Sequence, residues 1–388
     1  MWYFTSPKIV FGEDALEALD EIQGERGLIV TDRTLVELGL VDRVRRHLTK
    51  AGLDIKIFDA VEPEPSLQTV RQGAATAQAF TPDWIVGVGG GSAMDAAKAV
   101  WILYERPDLA PDEILPFIDL GLREKARLIT VPTTSGTGAE VTWPIILTDT
   151  DARRKLSLGN RENVADLAIV DPDMVMEMPP QLTADTGLDA LVHAFEGYTC
   201  TWYTDMTDGL CVDAVRKIMT YLPRAYADGT DREARTKMHN AATLAGLGFG
   251  NALASMAHAT GHALGAVFHV PHGRAVGLLL PYTVEFIAQE APTRFAELAQ
   301  VVGCIEARDD AAAARALATS VRALIRDLDN PVSIAEMGVS RAAFEVNVEA
   351  LVEKAFTDGS LVASARTPNV DELRRFFAYA YEGESIDF

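Results

Sequence analysis

Five residues between positions 189 and 272 have the types and spacing of a metal site. Asp189 and His193 lie four residues apart in TGLDALVHAFEGY, and His258 and His262 repeat that spacing in MAHATGHALG. On a helix, side chains four residues apart lie on one face, one turn from each other. His272 follows in VPHG, where the flanking proline and glycine favour a loop or the start of a helix. Three imidazoles and one carboxylate could therefore converge from two helices and a turn to bind a divalent metal.

The distribution of histidines supports this interpretation. The chain has only 7 histidines, and four of them fall between His258 and His272. A single histidine on a helix is usually a packed or solvated side chain. An Asp/His pair and a His/His pair at helical spacing rarely occur together by chance, so we give the cluster more weight. For His269, in the same stretch, a loop residue facing solvent and one that meets substrate are equally good interpretations.

A glycine run after a buried strand is the second candidate site. In WIVGVGGGS, Gly89, Gly90 and Gly91 lie where the strand ends and a helix begins, so amide N–H groups could face a phosphate there. We predict Ser92 as the N-cap of that helix, with Asp95 three residues later imitating a capping box. A tight turn alone would also explain the glycines. The run is not a GxGxxG fingerprint, and the lysine after it is not spaced for a Walker loop.

Hydroxyls and one acid could complete a nucleotide site. Thr133, Thr134 and Thr137 follow the strand in RLITVPTTSGTGAEVT, although a turn with local hydrogen bonds would explain any one of them. Asp32 closes the strand GLIVTD, where a carboxylate could accept hydrogen bonds from ribose hydroxyls and repel a 2'-phosphate. Capping of the following helix is the alternative role for Asp32. The ribose interpretation predicts a preference for NAD over NADP, which the neighbouring Arg33 could soften.

These motifs resemble those of the iron-containing (group III) alcohol dehydrogenase family. DALVHAFEGY, the segment with the later histidines and the glycine-rich GGGSAMDAAKA appear in the family's order and at similar spacing, over nearly the whole chain. The resemblance implies that the metal ligands are Asp189, His193, His258 and His272. It implies that His262 is a catalytic histidine near the nicotinamide and not a ligand.

The resemblance also implies the cofactor and the assembly. The GGGS turn would bind the pyrophosphate of NAD, and the PTTSGTGAE stretch would contribute Thr133 and Thr134. The substrate would be a small alcohol or aldehyde, and the chain would form a homo-oligomer, namely a dimer. The particular alcohol or aldehyde and the physiological direction lie beyond the sequence.

The chemistry of such a site follows from its donors. Three neutral imidazoles and one carboxylate leave a metal with net positive charge and can leave a position open to a substrate oxygen. There an alkoxide would be stabilised before hydride leaves for the nicotinamide, or an aldehyde would be polarised in the reverse direction. The donors suit Fe(II) and Zn(II) alike, and the family favours Fe(II). His262 could relay a proton or orient the substrate; a hydrogen bond to a backbone carbonyl is its plainer alternative.

The elements that would position these residues differ between the two halves of the chain. Up to about residue 180, short apolar runs alternate with amphipathic stretches, which predicts an α/β sheet with helical crossovers. From Leu182 onward the periodicity is almost entirely helical. We therefore expect an α/β NAD-binding domain over residues 1–180 and an all-helical metal-binding, catalytic domain over residues 181–388, sharing a cleft. The resemblance names this a dehydroquinate synthase-like fold.

Composition narrows the possible partners and the compartment. A net charge of -21 and a pI near 4.7 argue against nucleic-acid or anionic-membrane partners, which need a basic face. The 3 cysteines form no CxxC pair, and no apolar run is long enough to span a bilayer. The N-terminal sequence lacks the pattern of a secretory signal. We expect a cytoplasmic protein.

The predicted function is that of a metal-dependent, NAD-linked alcohol dehydrogenase or aldehyde reductase. A glycerol dehydrogenase or dehydroquinate synthase-like enzyme is the nearest alternative, disfavoured because the DALVHAFE pattern is not theirs. A catalytically dead protein that binds NAD or metal is the non-enzyme alternative. The presence of all four ligand residues argues against it.

Overall fold

The computed structural model describes residues 3–152, 154–304 and 307–388. The chain divides into two compact units, Met1–Glu177 and Met178–Phe388. Within the described residues, every helix is too short or too polar to cross a membrane.

The first unit is built on a six-stranded sheet in which all neighbouring strands are parallel, in the order β1-β8-β5-β4-β2-β3. A separate antiparallel hairpin pairs β6 with β7. The strands are Lys8–Phe11 (β1), Arg26–Val30 (β2), Asp54–Phe58 (β3), Trp84–Gly89 (β4), Arg127–Pro132 (β5), Pro144–Asp149 (β6), Arg154–Gly159 (β7) and Leu167–Val170 (β8). The α-helices are Arg33–Glu37 (α1), Leu40–Lys50 (α2), Leu67–Phe80 (α3) and Gly91–Glu105 (α4).

The parallel sheet is buried on both faces, and successive residues of its strands enter different cores. Leu28 and Val30 of β2 belong to a core that also contains residues of α3 and α4. Ile29, between them, belongs to a second core that contains residues of α2. Because successive side chains of a strand point to opposite faces, a strand covered on both sides reads as an unbroken apolar run. This is why RGLIV, WIVGVG and RLITV were recognisable as strands.

The second unit is helical. Its α-helices are Pro180–Thr199 (α5), Asp205–Ala227 (α6), Arg232–Asn251 (α7), Met256–Phe268 (α8), His272–Ala288 (α9), Thr293–Val301 (α10), Asp310–Asp327 (α11), Arg341–Phe356 (α12) and Val370–Glu382 (α13). Helix α5 packs against α6, α7 and α9, and nearly all of its length from Thr183 is buried. A helix that is apolar around most of its circumference is stable only inside a core, and α5 is the helix that carries the first two predicted ligands. The expected fold class, an α/β region followed by an all-helical region, is confirmed.

Candidate active site

Three helices bring the predicted metal ligands together. Helix α5 carries Asp189 and His193 one turn apart, both buried. Helix α8 begins at Met256 and places His258 in its first turn, where it is buried as well. His272 is the first residue of α9, and its side chain is 42% exposed. Three of the four predicted ligands are therefore buried, and solvent reaches the fourth, His272.

The imidazoles converge on one carboxylate oxygen. Asp189 Oδ1 lies 3.3 Å from Nε2 of His272, 3.8 Å from Nε2 of His193 and 4.0 Å from Nε2 of His258. Asp189 Oδ1 and His258 Nε2 are buried and find no hydrogen-bond partner among the described residues. Donors about 2.1 Å from a tetrahedral metal lie about 3.4 Å from one another. Among the described residues, Asp189, His258 and His272 each offer a ligand atom within 4.8 Å of the others, which suits a shared ion. His193 is not part of that group, although its Nε2 lies close to Asp189 Oδ1. Buried polar atoms without partners are costly, and a divalent cation would satisfy both Asp189 Oδ1 and His258 Nε2.

Close packing at the start of α9 holds His272 against α5. A Cβ atom on Gly273 would lie 2.1 Å from the carbonyl oxygen of Asp185, so no larger residue fits there. Arg274 then donates from Nε and Nη2 to the two carboxylate oxygens of Asp185, at 3.2 and 3.0 Å. Because Asp185 lies one turn before Asp189 on α5, this contact sets the position of His272 beside the carboxylate.

The pKa values reflect the mutual burial of acids and imidazoles. Burial raises the pKa of the Asp189 carboxyl, but the imidazoles of His193 and His272 outweigh burial and hold that pKa well below its ordinary value. Burial lowers the pKa of His193 to about 4, against the pull of Asp189. Burial also acts to lower the pKa of His258, yet the Glu196 carboxylate outweighs it and raises that pKa. An ionised Asp189 and a neutral His193 are the protonation states that metal binding requires.

Two carboxylates that contact histidines were missed in the sequence. Glu196 Oε2 lies 2.5 Å from His258 Nδ1, and Asp358 Oδ2 lies 2.8 Å from His262 Nδ1. Glu196 had a usable signal, because it lies three residues after His193 on the same helix. Asp358 had none, because 96 residues separate it from His262.

His262 lies beside the cluster without joining the atoms that converge on the carboxylate oxygen. Its ring centroid is 5.7 Å from that of His258 and 5.3 Å from that of His272. Its hydrogen-bond partner is the carboxylate of Asp358, and not the backbone carbonyl considered as the plainer alternative. His269 is exposed and ends α8 in a left-handed conformation with φ of 57°.

The predicted cofactor residues cluster at the carboxyl ends of β4 and β5. Gly89 pairs with Pro132 in the sheet register, and the N–H of Thr133 donates to the Gly89 carbonyl at 3.0 Å. A Cβ atom on Gly90 would lie 3.4 Å from the Thr134 side chain, and one on Gly91 would lie 3.0 Å from that of Thr137. The loop after β5 therefore packs directly on the glycine turn. The Thr134 hydroxyl is buried there, and no residue in the described part of the chain forms a hydrogen bond with it.

The glycine turn leads straight into α4. Helix α4 starts at Gly91, so its first N–H groups adjoin the two packed loops. Unpaired N–H groups at a helix N-terminus attract anions such as phosphate. Gly89 has φ of 153° and its Cβ atom would lie 2.5 Å from Cβ of Ala93, so only glycine suits this position.

The predicted cap of α4 was wrong. The N-cap is Gly90, and Ser92 lies inside the helix, where its Oγ accepts from the N–H of Glu64 at 3.3 Å. Asp95 forms no capping box: its Oδ1 lies 3.4 Å from Lys98 Nζ and its Oδ2 accepts from the N–H of Ile146 at 3.0 Å. The helix begins directly after the buried strand, one residue before Ser92, which leaves Asp95 on a buried face. These contacts of Asp95 are structural, and its place in the cofactor set stays a prediction.

Asp32 lies at the same edge of the sheet, since β2 is the neighbour of β4. Its Oδ1 accepts from the N–H of Leu35 at 3.1 Å and caps α1, which was the alternative role considered from the sequence. Recognition of a ribose would use the other oxygen, and the preference for NAD stays a prediction. In open parallel sheets, nucleotides bind outside the carboxyl ends of the strands, where Asp32, the glycine turn and the threonine loop all lie.

Two family models match the chain. The model described as iron-containing alcohol dehydrogenase matches residues 6–172, and that described as the C-terminal part of the Fe-containing alcohol dehydrogenase family matches residues 183–381. The chain is 37% identical over 391 residues to the NADPH-dependent butanol dehydrogenase of Clostridium saccharobutylicum, covering 100% of both chains.

Two further similarities extend this result. The chain is 38% identical over 414 residues to the bifunctional aldehyde-alcohol dehydrogenase of Escherichia coli, covering 99% of this chain but only 46% of that protein. It therefore spans about half the length of that relative. Among solved structures, 1,3-propanediol oxidoreductase superposes with a TM-score of 0.93 at 32% identity, covering 98% of this chain and 100% of the other.

Proposed function

The chain belongs to the iron-containing alcohol dehydrogenase family, and from this premise we propose that Asp189, His193, His258 and His272 hold its metal, with Fe(II) as the natural ion and Zn(II) as a substitute. As a member of the family it is an oxidoreductase that interconverts alcohols and aldehydes with a nicotinamide dinucleotide. The family does not favour the glycerol dehydrogenase, dehydroquinate synthase-like or non-enzyme alternatives. The observation that carries the proposed metal site is the convergence of three imidazole nitrogens on the buried Asp189 Oδ1, which has no hydrogen-bond partner among the described residues.

The reaction needs an acid to stabilise charge on the substrate oxygen, a hydride carrier and a route for one proton. A divalent metal at these donors supplies Lewis acidity, and the nicotinamide supplies or accepts the hydride. The chain's own contribution to the proton route is His262. Its Nδ1 faces the Asp358 carboxylate, which can only accept, so the proton lies on Nδ1 and the lone pair on Nε2. His262 Nε2 would accept the hydroxyl proton during oxidation of the alcohol.

Asp358 orients this histidine. Its Oδ1 accepts from the N–H of Ser360 at 2.8 Å, which anchors the carboxylate at the start of the 3-10 helix Gly359–Ala363. Burial acts to raise the pKa of Asp358, but the hydrogen bond from His262 outweighs it and lowers the pKa to about 2. Asp358 is thus ionised throughout the neutral range and would hold His262 in one tautomer.

We place the dinucleotide at the glycine turn and the threonine loop of the first unit. The predicted set is Asp32, Gly89, Gly90, Gly91, Ser92, Asp95, Thr133, Thr134 and Thr137. The buried Thr134 hydroxyl and the packing of Gly91 on Thr137 support the core of this set. Asp32 favours NAD, whereas the butanol dehydrogenase relative is named for NADPH, so the nucleotide must be measured.

The substrate class follows from the relatives. Their names specify butanol and 1,3-propanediol, and a short primary alcohol, or the matching aldehyde, is therefore our proposed substrate. Hydrophobic pockets separate homologous alcohols by only about 1–3 kcal/mol per methylene, so we expect activity toward several chain lengths.

We further propose a homodimer in the cytoplasm. Strand β1 lies at one edge of the parallel sheet, and Phe11 on it is 67% exposed. An exposed edge strand with an apolar residue is a suitable surface for pairing with a second copy. All three cysteines are free thiols, which supports a reducing compartment.

The test is a panel of primary alcohols, diols and hydroxy acids with NAD and with NADP. The metal-free protein is first reloaded with Fe(II), Zn(II) or Mn(II), and formation of the reduced cofactor is followed by absorbance. We expect turnover of short primary alcohols that depends on added metal, and none in the Asp189→Ala variant. Turnover confined to hydroxy acids, or equal in Asp189→Ala, would refute the proposal.

A further inference from the structure

Glu196 is a buried acid that the proposed reaction does not use. It lies on α5, seven residues after Asp189 and three after His193, and it is 2% exposed. An ionised carboxylate in such a place is costly unless donors surround it. Its surroundings therefore show what it does.

Four N–H donors surround the Glu196 carboxylate. Oε1 accepts from the backbone N–H of Ala257 at 2.6 Å and of His258 at 3.3 Å, and Oε2 accepts from that of Ser255 at 2.8 Å. The fourth donor is the His258 ring, with Nδ1 2.5 Å from Oε2.

Three of these donors belong to the start of α8. The first N–H groups of a helix have no partner within it, and the N-cap Ser255 makes no side-chain cap bond of its own. Glu196 therefore caps α8 from another helix. Its negative charge also lies near the positive end of the α8 dipole, which stabilises the helix.

We propose that Glu196 is a positioning residue that orients His258 for metal binding through Nε2, an inference that rests on the metal site proposed above. A carboxylate surrounded by donors can only accept, so His258 Nδ1 carries the proton. The lone pair is then on Nε2, which is buried and lies 4.0 Å from Asp189 Oδ1. Within the residues that the structure describes, Nε2 has no hydrogen-bond partner. One carboxylate thereby sets the tautomer of the ligand and the position of the helix that carries it.

A purely structural cap is the competing explanation, and Glu196→Gln separates the two. The glutamine oxygen can still accept from the backbone N–H groups of Ala257 and His258. Its NH2 group, however, takes the place of Oε2 and faces two other donors, the Ser255 N–H and the His258 ring. The conflict at the ring is relieved when the proton moves to His258 Nε2 and Nδ1 accepts from the amide. Nε2 must then lose a proton before it can bind a metal. Changes to such partners of a ligand typically cost about 10- to 100-fold in metal affinity.

The experiment measures the affinity of the metal-free protein for Zn2+ by competition with a chromophoric chelator, beside the melting temperature. The matched control is Asp171→Asn in the first unit. Asp171 is 2% exposed and accepts from the N–H groups of Leu16 and Asp173, both at 3.0 Å, without touching a histidine. We expect both variants to melt earlier, and only Glu196→Gln to bind Zn2+ about 10- to 100-fold more weakly.

Unchanged Zn2+ affinity in a folded Glu196→Gln variant would overturn the positioning role while leaving the metal site intact. A wild-type chain that binds no Zn2+ would overturn the site and this inference together.

A second measurement does not depend on folding of the variant. In the Zn2+-loaded wild-type protein with 15N-labelled histidine, His258 should show a protonated Nδ1 and a metal-bound Nε2. The signal is assigned by its loss in His258→Ala. A His258 that binds through Nδ1, or lacks the Nδ1 proton, contradicts the proposal.

Discussion

The proposed nucleotide site and the proposed metal site of this protein depend on different features of the chain. At the carboxyl ends of β4 and β5 the decisive feature is backbone: Gly89 and Gly91 leave no room for a Cβ atom without displacing a neighbour. At the proposed metal site the decisive feature is a set of side chains, with Asp189 at its centre. The first should tolerate changes of side-chain polarity but not of size, and the second should tolerate neither. The following experiments test that difference.

Metal removal should have the largest effect. The predicted ligands all lie in the second unit, and the predicted dinucleotide residues all lie in the first. Chelation should therefore abolish turnover and leave dinucleotide binding within about twofold of its starting affinity, because no dinucleotide contact is removed. Calorimetry of NAD binding and a rate assay on the same chelated sample check this. Chelated protein with undiminished turnover in metal-free buffer would contradict it.

Substitutions of the two histidines of α8 should have different effects, one on metal binding and the other on the rate of turnover. His258→Ala removes a donor near Asp189 Oδ1 and should lose metal, whereas His262→Ala should keep metal and lose about 10²–10⁴-fold in kcat, as for a proton-transfer group. Metal content per chain and kcat are measured for both variants. A metal-free His262→Ala together with a metal-replete His258→Ala would reverse the ligand assignment.

The glycine turn should respond to a single methyl group. Gly89→Ala places Cβ 2.5 Å from Cβ of Ala93 at φ of 153°, so the turn must shift. We expect the Kd for dinucleotide to rise at least about tenfold, which corresponds to about 1.4 kcal/mol, with metal content unchanged. Gly209→Ala on α6, where a Cβ atom meets nothing within 4 Å, is the control and should leave both values unchanged. Equal Kd values for Gly89→Ala and the control would show that the turn does not hold the cofactor.

Asp32→Gly should have the smallest effect, on the choice between NAD and NADP. Removing the carboxylate removes its repulsion of a 2'-phosphate, so the ratio of kcat/KM for NAD over NADP should fall, by less than about tenfold. Loss of the side-chain cap of α1 should cost only about 0.3 kcal/mol of stability, because glycine is tolerated at an N-cap, and Asp32→Asn, which can still cap, serves as the control. A wild-type protein with equal kcat/KM for both nucleotides would refute the preference.

The sequence by itself determined the alternation of strands and helices, the helical spacing of Asp189 with His193 and the position of the glycine turn. These features depend on local periodicity and on residues with restricted backbone preferences. Both can be recognised within a short stretch of sequence. Strand β1 and the β6–β7 hairpin were not predicted, since their burial patterns lack an unbroken apolar run.

Only the tertiary structure decided which atoms meet. The pairs Glu196 with His258 and Asp358 with His262 are separated by 62 and 96 residues, and no local pattern links them. The start of α4 at Gly91 was likewise decided by the buried strand before it. It placed the predicted N-cap Ser92 inside the helix, and Asp95, predicted to complete a capping box, contacts Lys98 instead. Hydrogen bonds and burial depend on distance in space, and the spacing of residues along the chain constrains that distance only within one helix or strand.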